Sequence, residues 1–204
     1  MSEFDAIPMP KALEKEIDST IDEKAFLPIL KASDWVGLEC GAVRQTLLGT
    51  KDDPKLVVGF GLDTSEHYVF LMGKDASTIN LENAVRYAYE NLDAMPVTFE
   101  LYESFDNKLV KAMGEPLSSE IILSVKHMLK IHEVLDAKQL MVSIPKRGRF
   151  MAISREAPQQ LLNKFACIHN HTWEDDGYDD VPLTDLFFVV ENGEIVDVLT
   201  WQPS

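Results

Sequence analysis

Apolar residues recur at helical spacing in several parts of the chain. In residues 11–31 an apolar stripe predicts helix, and Pro28 either divides this region into two short helices or begins the second one. Leu81–Leu92 carries its apolar side chains on one face, which is typical of a helix packed on a core. A shorter helix is predicted over residues 158–167, since proline suits an early helical position.

A further helix is predicted to begin at a pair of serines. Ser118 or Ser119 is a suitable N-cap, and Glu120 places a carboxylate in the first turn, where the helix dipole favours it. The predicted buried stripe of this helix consists of Ile121, Ile122, Val125, Met128, Leu129 and His132. Together these patterns predict three to five helices.

Short apolar runs separated by turn residues predict strands. Residues 33–75 are predicted to form a β-meander from the runs Trp35–Cys40, Val43–Leu48, Leu56–Leu62 and His67–Met72. Val97–Tyr102 alternates like a strand after Pro96. Leu140–Ile144 and Phe150–Ser154 are the predicted arms of a hairpin whose tip is basic.

A second hairpin is predicted around Asn192-Gly193, a dipeptide typical of a two-residue type I′ turn. That turn sets a register with the pairs Glu191–Glu194, Val190–Ile195, Phe188–Asp197 and Leu186–Leu199. Both faces of this hairpin are apolar, so it is predicted to lie in the centre of a sheet that is covered on both sides.

The predicted register makes Asp197 a candidate buried carboxylate. It places Asp197 opposite Phe188 on an apolar face, where an ionised carboxylate is costly. Such a group either pairs with an arginine or has a raised pKa that suits an acid or base. The alternative is that Asp197 lies at the sheet edge in water.

Helices and hairpins in mixed order predict an α+β fold. We expect a mixed, largely antiparallel sheet with several hairpins and three to five helices packed on it. The length favours a single domain over residues 1–204. Within it we expect a helical N-terminal segment at 1–32, a β-meander at 33–75 and an α+β region at 76–204.

The net charge of the chain limits which classes of partner we expect. The chain has 34 acidic and 19 basic residues, a formal net charge of -15, which repels phosphate backbones and anionic lipid surfaces. No nucleic-acid and no membrane partner is therefore predicted. The sequence has no signal-peptide core and no apolar run near the ~20 residues that span a bilayer, so we expect a cytoplasmic protein. Cys40 and Cys167 form no metal-ligand pattern and are expected to be buried free thiols.

The basic hairpin tip is the one place where local charge opposes the net charge. Lys146, Arg147 and Arg149 suit a carboxylate, a phosphate or an acidic protein surface, because the arginine fork matches planar oxyanions. Two structural roles compete with this interpretation. The tip is either a charged turn that blocks edge pairing, or part of an internal ion-pair network with the acidic loop Trp173–Pro182.

The acidic loop itself holds further candidate residues. Trp173 and Tyr178 are candidate anchors for a partner protein. His169 and His171, followed by five carboxylates, are the densest set of metal-ligand residue types, since alternate histidines on a strand point to the same side. A solvated acidic loop is the preferred interpretation, and neither a metal nor another cofactor is predicted.

Four segments occur in an order and spacing that match a known family over about residues 68–200. They are Ala84–Pro96, with Glu90-Asn91-Leu92 inside it, then Ser119–Leu123, Leu140–Pro145, and Val181–Leu183 before the Asn-Gly hairpin. In these segments the chain resembles the bacterial family known as domain of unknown function 1444. The resemblance implies a cytoplasmic bacterial α+β protein. It implies no site residues, since the family has no assigned reaction.

Two hypotheses of function remain. The preferred one is a non-enzymatic protein-interaction module that docks a partner protein through the basic tip or the acidic loop, since charge is segregated and catalytic motifs are lacking. The alternative is a small-molecule enzyme or anion-binding protein that uses Arg147, Arg149 and a carboxylate or histidine. That alternative requires a concave pocket that joins these groups.

Overall fold

Two antiparallel sheets and three α-helices make up the part of the chain that the computed structural model describes, residues 22–63, 68–113, 117–175 and 181–201. The strands are β1 Leu27–Ala32, β2 Arg44–Gly49, β3 Pro54–Asp63, β4 Tyr68–Phe70, β5 Thr98–Leu101, β6 Leu109–Met113, β7 Gln139–Ser143, β8 Met151–Ser154, β9 Phe187–Glu191 and β10 Glu194–Leu199. The helices are α1 Leu81–Ala94, α2 Val125–Leu135 and α3 Gln159–Glu174. The predicted α+β class is confirmed.

The first sheet is built around β3. Strand β1 pairs with one side of β3, while β2 and β4 pair with successive stretches of its other side. The predicted strands Val43–Leu48 and Leu56–Leu62 are confirmed as β2 and β3. Of the predicted strand His67–Met72, residues 68–70 form β4, and His67 lies outside the described residues.

The second sheet has six strands in the order β10-β9-β7-β8-β6-β5, and every neighbouring pair is antiparallel. Alternate side chains of these strands face opposite sides. One side joins the first sheet, α1 and α2 in a shared core through Val110, Leu140, Val142, Phe188 and Val190. The other side packs on α3 through Leu109, Met141, Ile153 and Phe187. The second sheet is therefore covered on both faces.

The prediction of helix near Pro28 is wrong, because residues 27–32 form β1. Pro28 is compatible with β1 because, among the described residues, this strand pairs on one side only, and a missing N–H is tolerated on the other side. Before it, Glu23–Ala25 forms one 3₁₀ turn, whose first residue follows the N-cap Asp22. The predicted helical stretch 11–21 lies outside the described residues.

Two other local predictions are corrected. The predicted strand Trp35–Cys40 contains a 3₁₀ turn, Val36–Leu38. The predicted helix after Ser118 or Ser119 begins instead as the 3₁₀ segment Ser118–Leu123, and α2 follows with Ser124 as its N-cap. The Ser124 Oγ accepts the His127 backbone N–H at 3.1 Å.

The Asn192-Gly193 turn forms as predicted, with φ values of 51° and 83° at its two residues. The pairs Glu191–Glu194 and Val190–Ile195 are confirmed. A bulge between Ile195 and Asp197 then shifts the register, so that Asp197 pairs with Val189 rather than with Phe188. The prediction of a central hairpin holds for β9 only. β10 is the edge strand, where a bulge and charged residues limit further pairing.

Candidate functional site

The basic tip is docked against the body of the protein. The Lys146 side chain is only 3% exposed, and its Nζ donates to the Asp175 carbonyl oxygen at 2.6 Å. Backbone bonds from Arg147 N–H to Val181 O (2.8 Å) and from Leu183 N–H to Pro145 O (2.9 Å) join the tip to the segment that precedes β9. Lys146 is therefore buried at its contact with Asp175 of the predicted acidic loop and is not part of a solvent-exposed tip.

A buried carboxylate holds the other side of the tip. The Gly148 N–H donates to Ser119 Oγ at 3.0 Å, and the Ser119 hydroxyl donates to Glu120 Oε2 at 2.6 Å. The second carboxylate oxygen, Oε1, accepts the Leu30 N–H of β1 at 3.1 Å. Burial raises the pKa of Glu120, although these hydrogen bonds and the charge of Arg147 oppose the shift. Three segments distant in sequence thus meet at one side chain.

Arg147 lies on a cluster of aromatic rings at the first sheet. Its guanidinium carbon lies 4.6 Å from the centroid of the Tyr68 ring, and Lys31 Nζ lies 5.1 Å from that of Phe70 and 5.9 Å from that of Trp35. We call these five residues the aromatic–cation cluster. Burial lowers the pKa of Lys31, and so does the positive charge of Arg147, while Glu120 and Asp34 act in the opposite direction.

Two glycines of β3 let the rings lie directly on the strand. A Cβ atom at Gly59 would come within 2.8 Å of the Trp35 ring, and one at Gly61 within 3.3 Å of the Phe70 ring. The Trp35 and Phe70 rings contact each other with centroids 4.7 Å apart. Gly59 and Gly61 of β3 therefore leave the space that the Trp35 and Phe70 rings occupy.

Arg149 points to a different place, a cavity of about 230 Å³ between α3 and the strands β6 and β8. We call it the Arg149 cavity. Two of its lining side chains are cationic, Lys111 and Arg149, and none of the described lining residues is acidic. The other lining residues are Tyr102, Phe105, Leu109, Phe150, Met151, Ile168 and Thr172. A cavity with apolar walls and two cations suits a ligand with an apolar body and a negative group.

The alternation of β6 explains why Lys111 reaches this cavity. Leu109 packs on the α3 side of the second sheet and Val110 on the opposite side, so Lys111 returns to the α3 side. A third cation lies nearby, because Lys164 of α3 has its Nζ 4.4 Å from the Phe105 ring centroid. Lys164 Nζ also donates to the Ser104 carbonyl oxygen at 3.1 Å.

The two predicted metal-ligand histidines do not act together. They lie on α3 rather than on a strand, so residues two apart point in different directions: His169 is buried and His171 is exposed. Ser143 Oγ lies 2.8 Å from His169 Nδ1, and burial lowers the pKa of His169 to about 4. Ser143 and His169 are both fully buried, so this pair gives no access to a substrate.

The other predicted site residues lie apart from both places. Trp173 is half-buried in the last turn of α3 rather than in a loop, and Tyr178 lies outside the described residues. Asp197 is exposed, and its Oδ1 accepts the Val198 N–H at 2.8 Å, so it is not a buried carboxylate. Cys40 and Cys167 are free and exposed, which corrects the expectation of buried thiols.

The described ranges contain neither a cluster of metal-ligand side chains nor a membrane-spanning helix. There, no three His, Cys, Asp or Glu side chains are grouped so that they could hold a metal ion. Nor is any helix in this part of the chain long and apolar enough to cross a bilayer. Residues 176–180, half of the predicted acidic loop, are not part of these ranges.

Comparison with protein-family models, with curated proteins and with solved structures gave no significant match. The resemblance to domain of unknown function 1444 therefore stays a prediction.

Sequence reasoning found Arg147 and Arg149 but missed the residues around them. Lys111 had a detectable signal, since it interrupts the apolar run of β6 at a position that shares a face with Leu109. Ser119 and Glu120 look like an ordinary helix start in the sequence. Their partners, Gly148 and Leu30, are far away along the chain, so no local pattern reveals the contact.

Proposed function

We propose that the protein binds a small organic anion in the Arg149 cavity. The observation that carries this proposal is that two cationic side chains, Lys111 and Arg149, line one small cavity whose other described lining residues are largely apolar. Arg149 suits a carboxylate or phosphate group, because its N–H fork matches planar oxyanions, and Lys111 adds a second charge. Phe105, Leu109 and Met151 provide apolar contacts for the rest of the ligand.

The size of the cavity limits the ligand. At about 230 Å³ it is smaller than the ~300–1,000 Å³ of sites that hold drug-sized molecules. A short branched or aromatic carboxylate fits this description better than a nucleotide does. Among the described residues, the lining includes neither a carboxylate nor an imidazole, and the proposal is limited to binding.

Docking of an acidic protein on the basic tip remains the second hypothesis. The burial of Lys146 and the contact of Arg147 with Tyr68 weaken it, because both cations already contact the protein itself. The two hypotheses differ in which residue matters. Anion binding depends on Arg149 and Lys111, whereas docking on the outer part of the tip depends on Arg147.

Calorimetric titration tests the proposal. The ligands are isovalerate, benzoate and inorganic phosphate, with neutral benzamide as the isosteric comparison for benzoate. We expect a carboxylate to bind and benzamide not to. Arg149→Gln and Lys111→Gln should each weaken carboxylate binding about tenfold or more, because a charged hydrogen bond contributes roughly 1.5–3 kcal/mol.

Arg155→Gln is the matched control, since Arg155 follows β8 in the same hairpin and does not line the cavity. It should leave the affinity unchanged. The proposal is wrong if no ligand of the panel binds, or if Arg155→Gln weakens binding as much as Arg149→Gln does.

A further inference from the structure

The aromatic–cation cluster places an amine and a guanidinium on neighbouring aromatic rings outside the Arg149 cavity. Lys31 Nζ lies among Trp35 and Phe70, and the Arg147 guanidinium lies on Tyr68, which is the ring neighbour of Phe70 at 6.3 Å. Lys31 and Arg147 are both half-buried, so each is packed on the protein and still reaches solvent. Neither residue has a role in the anion site proposed above.

The positions of these two cations are fixed by the fold. Lys31 is held in β1, whose neighbouring N–H at Leu30 is bound by the Glu120 carboxylate. Arg147 is held by its own backbone bond to Val181 and by the Ser119 contact of the next residue, Gly148. The rings rest on β3 because Gly59 and Gly61 leave room for them. Contacts within the fold thus hold the backbone that carries these two cations and the rings beside them.

We propose that Lys31 is a covalent binding site for small 2-oxo acids, with the ligand carboxylate on Arg147 and the ligand carbonyl carbon bonded to Lys31 Nζ as an imine. The Arg147 guanidinium carbon lies 4.6 Å from the Tyr68 ring centroid, and a guanidinium that lies over a ring can still donate its N–H groups to a carboxylate. Apolar surroundings and a neighbouring cation are the two conditions that activate a lysine toward carbonyl groups.

The chemistry balances without an oxidant or a reductant. The lone pair of the neutral Lys31 amine attacks the carbonyl carbon, and proton transfer from nitrogen to oxygen gives a carbinolamine. Loss of the hydroxyl group with one proton releases water and leaves the C=N bond. Burial and the charge of Arg147 both favour the neutral amine, which the first step needs, while Glu120 and Asp34 partly offset them.

Reductive trapping tests this site in the full-length protein. The protein is incubated with pyruvate and cyanoborohydride near neutral pH, and the modified lysines are mapped by peptide mass spectrometry. We expect Lys31 to be labelled severalfold faster than the exposed residues Lys51 and Lys138, which serve as internal controls. Equal labelling rates at the three lysines would overturn the proposal.

The role of Arg147 is tested by comparing pyruvate with acetone, which has the carbonyl but no carboxylate. Arg147→Gln should lower the labelling of Lys31 by pyruvate more than the labelling by acetone. Lys31→Arg keeps the charge on the rings and should remove the label from this position. An unchanged pyruvate-to-acetone ratio in Arg147→Gln, in protein that melts like the wild type, would contradict the assignment of the carboxylate to Arg147.

Discussion

Glu120 is a fully buried carboxyl group that joins three parts of the fold. Its partners are the Leu30 N–H of β1 and the Ser119 hydroxyl, which in turn accepts the Gly148 N–H of the hairpin tip. Such a group stabilises the fold through its hydrogen bonds and destabilises it whenever it must ionise. Its effect on stability therefore depends on pH.

Glu120→Gln should make the stability of the protein less sensitive to rising pH. Burial raises the folded-state pKa of Glu120 above the ordinary value of 4.5, so the folded state holds the proton more tightly than the unfolded state. The resulting stability is present below 4.5 and is lost as the pH rises through the folded pKa. Urea unfolding between pH 4.5 and 8 measures this loss.

Glutamine keeps an oxygen for the Leu30 N–H and cannot ionise. The wild type should therefore lose more free energy of unfolding across this range than Glu120→Gln does. Glu133→Gln is the control. Because Glu133 is exposed, this variant should show the same change of unfolding free energy with pH as the wild type. Parallel profiles for the wild type and Glu120→Gln would show that Glu120 does not titrate in the folded protein over this range.

His169 should destabilise the protein in acid. Its folded pKa of about 4 lies below the ordinary 6.5, because burial against Phe187 disfavours the charged ring. The stability it contributes is full above pH 6.5 and is lost as the pH falls through about 4, an effect of up to about 3 kcal/mol.

The variant His169→Asn tests this expectation, because asparagine can keep a polar contact with Ser143 and does not titrate. Its free energy of unfolding should fall less between pH 6.5 and 4 than that of the wild type. His171→Asn changes an exposed histidine of the same helix and should keep the wild-type slope. If both variants show the same slope as the wild type, the buried ring is not the source of the acid sensitivity.

At the scale of elements, strand β3 has neighbouring strands on both sides and aromatic rings packed on its surface. It pairs with β1 on one side and with β2 and β4 on the other, and it supports Trp35 and Phe70 on its glycines. A strand that is paired on both sides cannot move away from an added atom without disturbing its neighbours.

Gly59→Ala should therefore destabilise the protein by about 1–3 kcal/mol, the usual cost of overpacking a filled site. The added Cβ would lie 2.8 Å from the Trp35 ring and would push it away from the strand. Chemical denaturation together with tryptophan fluorescence measures both effects. Gly73→Ala is the control, because the nearest atom to its Cβ is 3.4 Å away, and it should change stability little.

Some of these elements were predictable from local sequence, and others were not. Helix α1 and the two hairpins around Lys146–Arg149 and Asn192-Gly193 were predictable, because spacing and turn chemistry act over a few residues. Strand β1 was not predictable in this way. Its apolar residues fit a helix equally well, and it becomes a strand by pairing with β3, about thirty residues later in the chain.

At the scale of the whole molecule, the acidic chain keeps its cations in specific places. Lys31 and Arg147 lie on aromatic rings, Lys146 is buried on a carbonyl oxygen, and Lys111 and Arg149 line one cavity. Arg147 and Arg149 of the basic tip are two residues apart but contact different parts of the protein. Arg147 lies on the Tyr68 ring, and Arg149 lines the cavity. A net charge of -15 repels anions at long range, so any anion site must act through such local contacts.

The sequence by itself determined the α+β class, the position of most strands and the location of the basic tip. These depend on apolar periodicity and on turn residues, which are local properties of the chain. Only the tertiary structure decided where each basic side chain of the tip goes, that Glu120 lies beneath the tip, and that Asp197 lies in water. The physical reason is that burial and hydrogen bonding at these residues come from segments far apart in sequence. A single bulge in β10 was enough to move Asp197 out of its predicted register.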